Sequence, residues 1–162
     1  IASPPADLDG DGDLDTGLVC AIQDQSSSIQ WIIGGNTQTT TNGGTSASIG
    51  QGQKNTKAMM GQAGYTGGAA KVCNDYSITV NEITYSDWFL PSKDELNQMY
   101  EHKAAINSAA AANSGSNFSN VYYWSSTEYD NGSAWKQYFF NGLQDFHFIK
   151  DNSFNVRAVR AF

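Results

Sequence analysis

The sequence predicts a mixed α+β domain in which short antiparallel strands and long irregular loops surround one main helix. Three segments carry that prediction. Pro91 precedes Ser92-Lys93-Asp94-Glu95, a capping box that opens a run of apolar residues at helical spacing. Asn141-Gly142 divides two runs of strand-forming residues, and Asn-Gly is the strongest short hairpin signal because both turn positions must take φ > 0. From 34 to 52 the chain is Gly, Thr, Ser, Asn and Gln with almost no apolar residue, too polar to pack and so a surface excursion. At 162 residues and 40% hydrophobic content, the chain is sized for one core.

Taken in order, the first element is acidic. Asp7, Asp9, Asp11 and Asp15 fit the alternation D-x-D-x-D-G-x-x-D, in which short carboxylates and a Gly-enabled turn wrap a hard cation such as calcium. The twelfth position from Asp7 is Leu18, where an EF-hand needs a bidentate Glu, so the expected loop is the shorter kind that closes at Asp15. The competing reading is a solvated acidic turn, although five carboxylates within nine residues repel one another without a neutralising ion. Residues 1–16 are therefore expected to form an acidic segment with structural calcium, and 17–162 the domain proper. A strand is expected from Gly17 to Ile22. Short helices follow near Lys54 to Met60 and Ala69 to Tyr76. The main helix starts at Ser92, carries Leu96, Met99, Tyr100 and Ile106, and runs through an Ala-rich stretch towards Ala112 before Asn113-Ser114-Gly115 ends it. In the hairpin, Trp135 to Phe140 folds onto Leu143 to Ile149. A two-residue turn sets Phe140 against Leu143, Tyr138 against Asp145 and Lys136 against His147 on one surface, leaving Phe139, Gln137 and Trp135 with Gln144, Phe146 and Phe148 on the other. Both surfaces are rich in aromatic rings, and a sheet needs only one face for its core.

Charge and motif content exclude several functions. A net charge of −7, a pI near 4.5 and nine scattered Lys and Arg argue against a nucleic-acid partner. No apolar run approaches the roughly 20 residues of a membrane span, and no leader-like segment opens the chain. Since it begins at Ile1, the chain is expected to be a part excised from something longer, with an anchor or leader removed. Cys20 and Cys73 allow one disulfide at most and are expected as buried free thiols. The two His residues, His102 and His147, sit in no metal-ligand spacing. Ser125-Ser126 lacks a nucleophile elbow, Glu128 has no neighbouring His, and Cys73 has no partner base. No phosphate loop or organic-cofactor motif occurs. Binding is expected rather than catalysis.

Several blocks together carry a family resemblance: Gly17-Leu18-Val19, Asp24-Gln25, Ile29-Gln30-Trp31, Ala69-Ala70-Lys71-Val72-Cys73, Trp88-Phe89-Leu90-Pro91-Ser92-Lys93-Asp94-Glu95-Leu96, Tyr123-Trp124-Ser125-Ser126-Thr127-Glu128 and Val156-Arg157-Ala158-Val159-Arg160. From about Gly17 to Phe162 the chain resembles the C-terminal domain family of the bacterial collagen-like adhesin Lcl. The resemblance implies a C-type-lectin-like fold and an adhesive or ligand-binding role that is extracellular, on a cell or virion surface. It also implies sulfated glycans as one ligand class, which the acidity of this chain disfavours.

The tail resembles, in addition, the variable regions of C-type-lectin-like proteins diversified by retroelements that mutate adenines. Randomising the first two bases of an Asn codon reaches Phe, Tyr, Leu, Ile, His, Asp, Ser and Asn but never Gln, Lys, Glu, Met or Trp. From Tyr138 to Asn155 only Gln144 and Lys150 fall outside that set. The resemblance makes Tyr138, Phe140, Asn141, Leu143, Asp145, Phe146, His147, Phe148, Ile149, Asp151, Asn152, Ser153, Phe154 and Asn155 candidate ligand-binding positions, with Ser133 as an outlying one, in a variable region of about 133–155. A rigid scaffold would hold such aromatic anchors at low entropic cost. The alternative is a fixed glycan-binding lectin, which would need a compact acidic and amide cluster that chelates metal and sugar hydroxyls together. A third, the oxidase chemistry of formylglycine-generating relatives of the fold, would need a paired-Cys site that Cys20 and Cys73 do not reproduce.

Overall fold

A computed structural model describes residues 2–7, 12–34 and 44–162. In chain order the described elements are β1 (Ala2–Ala6), β2 (Asp15–Cys20), β3 (Ser26–Gln30), β4 (Ile33–Gly34), α1 (Gly52–Met60), β5 (Tyr65–Gly67), α2 (Ala69–Asn74), β6 (Ile78–Val80), β7 (Ile83–Tyr85), α3 (Lys93–Glu101), α4 (Lys103–Ala112), β8 (Tyr122–Glu128), β9 (Ala134–Tyr138), β10 (Gln144–Asp145), β11 (Ser153–Val156) and β12 (Val159–Ala161). The class is the expected mixed α+β. A central five-stranded sheet runs β10-β9-β8-β11-β3, with β11 parallel to β8 and the other pairings antiparallel. A second sheet, β1-β2-β12, pairs the first strands with the last, and the Thr16 amide donates to the Phe162 carbonyl at 2.6 Å. Pro4 and Pro5 fit β1 because it is an edge strand, where a missing N–H is tolerated.

Strand β8 organises the interior. Its five central residues are all buried, and alternation sends Trp124 into one cluster and Tyr123 into another. The first cluster gathers Trp31, Met59, Cys73, Trp88, Leu90 and Val156 beneath α1 and α2. The second gathers Phe89, Leu96, Met99, Phe118, Phe139 and Val159 beneath α3. Here the sheet uses both faces for core, because helices cover it from both sides.

Polar groups lock the blocks into place. Glu95, 1% exposed, completes the capping box with Ser92 and also accepts from the amides of Gly50 and Gly52, tying the 44–52 segment to α3. Arg157, fully buried, donates from Nε to Asp24 and through its other nitrogens to Ser116 and Asn117, and stacks over Phe118. Asp24 accepts in turn from the Tyr123 hydroxyl and the Asn155 amide, while Gln25 caps the Ala158 N–H. Arg160 makes a two-pronged pair with Asp87, both contacts at 2.7 Å.

Two expectations are corrected. The main helix is broken at His102 into α3 and α4, where φ −100° and ψ 13° leave the helical well and the ring Nδ1 lies 3.0 Å from the Gln98 carbonyl. The hairpin does not close in two residues. Gln144 faces Gln137 and Asp145 faces Lys136, so Phe139 to Gly142 form a four-residue loop in which only Gly142, at φ 82°, is left-handed. Phe139, buried against Tyr100, Phe118 and Tyr123, stands just beyond β9, and the register is shifted by two. An even shift keeps the faces expected for Lys136, Gln137, Tyr138, Gln144 and Asp145, but β10 ends at Asp145, so Phe148 lies on the Lys136 side and His147 stacks on Phe146, the reverse of the expected faces. At the start of the acidic segment, β1 pairs with β2 in the terminal sheet. Of the expected calcium ligands Asp9 and Asp11 lie outside the described residues, Asp7 is exposed and Asp15 opens β2 half-buried. Among the described residues no group of three or more His, Cys, Asp or Glu is arranged to hold a metal.

Candidate ligand-binding surface

An aromatic group lies on each side of the β9–β10 hairpin, built from β8, β9, β11 and the chain on either side of the hairpin. On one side Tyr122 stacks on Tyr138 at 4.7 Å, and Phe148 and Phe154 meet the Tyr122 ring at 6.2 and 5.5 Å. Phe140 leans on Tyr138 and is 66% exposed, with Leu143, Phe148 and Ile149 also open to solvent. On the other side Phe146 stacks on Tyr129 at 3.7 Å and meets Trp135 edge-on, while the Lys93 ammonium sits 4.6 Å above Trp135. His147 is exposed and stacks on Phe146.

Beneath the first group lies a charge. Lys136 is 1% exposed, with its Nζ 4.3 Å from the Phe148 ring centre, 5.0 Å from Tyr122 and 5.7 Å from Phe154. Its carboxylate neighbour is Asp145 Oδ2 at 3.3 Å, an ion pair without hydrogen-bond alignment. Burial pushes the Lys136 ammonium below the usual lysine range, opposed by Asp145. Burial also acts to raise Asp145, but hydrogen bonds from the His147 backbone and ring, together with Lys136, outweigh it and hold that carboxyl down at about 2.

The candidate positions divide accordingly. Phe140, Asn141, Leu143, His147, Phe148, Ile149, Asp151 and Ser153 are exposed. Tyr138, Phe146 and Asn152 are half-buried at the surface. Ser133 bridges to Ile149 and uses its amide on Asp130, so it anchors a turn. Asp145 is engaged by Lys136 and His147 rather than displayed. Phe154 packs on Trp124 at 4.8 Å, joining the core margin. Asn155 is corrected outright: it is buried in the central sheet opposite Tyr123, with its amide on Asp24. The two tail residues that Asn-codon randomisation cannot reach are both structural. Lys150, fully buried, pairs with Glu128, donates to the Asn131 carbonyl and lies over Trp31, and Gln144 donates to the Lys93 carbonyl.

Sequence reasoning missed Tyr122 and Tyr129 as parts of this surface, and it set Trp135 and Lys136 on the two hairpin faces without counting them among the ligand-binding positions. Alternation in Tyr122-Tyr123-Trp124 was the available signal for the first, whereas Tyr129 is brought in only by its stacking on Phe146 from the β8–β9 connection. Both cysteines are free; burial pushes the Cys20 thiol up to about 12 and raises Cys73 as well, so neither is a thiolate at neutral pH. An apolar recess of about 340 Å³ between β2, α3 and α4 shares no residue with the tail. Among the described residues no helix is long and apolar enough to cross a membrane.

Comparison with known families matches residues 20–160 to the Lcl C-terminal domain. No curated protein matches the chain.

Proposed function

We propose, from the premise that this chain belongs to the Lcl C-terminal domain family, that it is a non-catalytic ligand-binding module that displays a diversified tail to a protein on another cell or surface. The coarser part of that statement, an adhesive or ligand-binding domain, follows from the family. The finer part rests chiefly on one pattern: the exposed tail residues all belong to the set reachable from Asn codons, while the two unreachable residues, Gln144 and Lys150, are held by scaffold contacts. A C-type-lectin-like fold is the companion proposal, supported by the pairing of β2 near the start with β12 at the end and by long loops on a small central sheet. The setting would be extracellular, on a cell or virion surface.

Sequencing this locus across its source population tests the reading. Substitutions should crowd into the codons of Phe140, Asn141, Leu143, His147, Phe148 and Ile149 and spare those of Gln144, Lys150 and Arg157. Changes spread evenly through the gene would sink diversification. A protein and glycan array, run with and without a chelator, separates the ligand classes. Protein binding insensitive to the chelator and altered by joint Phe140→Asn, Leu143→Asn and Ile149→Asn supports the proposal, and chelator-sensitive sugar binding favours the fixed lectin. Calcium is proposed only as a structural ion of the acidic segment. Calorimetric titration of metal-stripped protein with millimolar calcium should release or absorb heat and raise the melting temperature, and no response would remove calcium from the account.

A further inference from the structure

We propose that Lys136 is a built-in anion subsite beneath the tail surface, occupied in this chain by its own Asp145 carboxylate and roofed by Phe148. The side chain is 0% exposed and its ammonium lacks an aligned acceptor, an unusual state for a group with three donors to satisfy. Around it stand Tyr122, Phe148 and Phe154 as rings and Asp145 as the counter-ion. Lys136 itself lies on β9 within the central sheet, so it is scaffold. Asp145 and Phe148, by contrast, are candidate variable positions, and Phe148 is 43% exposed, which makes it the outermost cover over the cation.

The consequence is a gate set by two residues. A buried ammonium requires a carboxylate or equivalent anion close by, because an uncompensated buried charge is strongly destabilising. With Asp145 present that requirement is met from within, and the surface is apolar. Where position 145 is neutral and 148 is small, the same lysine faces the ligand and selects an acidic group, an Asp or Glu side chain of a partner protein. The biological use of the gate rests on the proposed display function, but the subsite itself does not.

The test therefore uses acetate as the probe and needs no natural ligand. The parent, Asp145→Asn/Phe148→Ala, and the same double variant carrying Lys136→Met are melted in acetate and in chloride at matched ionic strength. The double variant should melt below the parent in chloride and gain several degrees in acetate, because an ion that binds only the folded state stabilises it by mass action. The parent and the Lys136→Met triple variant should show no acetate-specific gain. A double variant indifferent to acetate, one that fails to fold even in acetate, or a triple variant that responds equally would overturn the subsite. Phe148→Ala alone supplies an independent arm: an amine-reactive ester should spare Lys136 in the parent and label it in this variant, located by peptide mass. Continued protection would show that Phe148 is not the cover. Failure here leaves the display reading intact, since the population sequencing above does not depend on Lys136.

Discussion

The scaffold blocks and the tail solve the same problem, placing polar and charged groups in a small domain, in opposite ways. In the scaffold blocks the buried polar groups are tied to partners distant in sequence, as Arg157, between β11 and β12, is to Asp24 and Ser116, and the Ala158 N–H is to Gln25. In the tail the side chains of Phe140, Leu143 and Ile149 face solvent, and the buried cation Lys136 is balanced by Asp145, a residue of the tail itself. The difference teaches where the proposed diversification could act without cost to the fold, at positions whose side chains carry no partner in the core. Exposed aromatics can be exchanged without repacking, whereas a change at a tied position leaves a buried group unmatched.

The sharpest way to break the comparison is to cut a tie. Arg157→Met should destabilise the domain by about 3 kcal/mol, the lower part of the usual range for breaking a buried pair, because Asp24 retains some contact with water. Urea denaturation measures this, and adding Asp24→Asn should recover part of the loss. A loss below about 0.5 kcal/mol, the scale of surface changes, would mean that the network is not a determinant of stability.

A pH titration of stability comes next. Burial raises the Glu95 carboxyl to about 7, despite the amides that favour its charged form. Its folded-state value thus lies above the unfolded one, so its contribution is fully present below about 4.5 and is lost as pH rises through about 7, amounting to about 3 kcal/mol. Glu95→Gln, which can keep a capping-box geometry, should flatten that slope between pH 4.5 and 7. An unchanged slope in the variant would assign the pH dependence elsewhere.

The smallest expected effect is in the tail. Joint replacement of Phe140, Leu143 and Ile149 by Asn should change stability by less than about 1.5 kcal/mol in thermal or urea unfolding, three surface changes of about 0.5 each. Phe154→Ala provides the internal contrast at the margin of the same region, since its ring packs on Trp124 and its loss should exceed the sum of the other three. If the triple variant unfolds while Phe154→Ala is tolerated, the division between display and scaffold is drawn in the wrong place.

Local and periodic features were legible in the sequence because they depend on neighbours along the chain. The capping box at Ser92 and Glu95, the helices α1 and α2, and the scaffold role of Trp88, Leu90, Leu96, Trp124 and Val159 all follow from caps, spacing and the family blocks, and all five of those side chains are buried. Alternation also assigned Lys136, Tyr138 and Asp145 to one face and Gln137 and Gln144 to the other, which a two-residue register shift leaves unchanged, but it failed for His147 and Phe148, which lie beyond the end of β10. Tertiary structure alone decided the register itself, since Phe139 leaves the strand to join Phe118 and Tyr123, contacts made across the domain. It also decided that Asn155 is tied to Asp24 while Ser153, two residues earlier, faces solvent, and that Lys136 is a buried cation matched to Asp145. Composition and spacing report what a residue is able to do. Whether it is solvated or paired depends on which distant segment the fold brings against it, and that free-energy balance belongs to the packed chain.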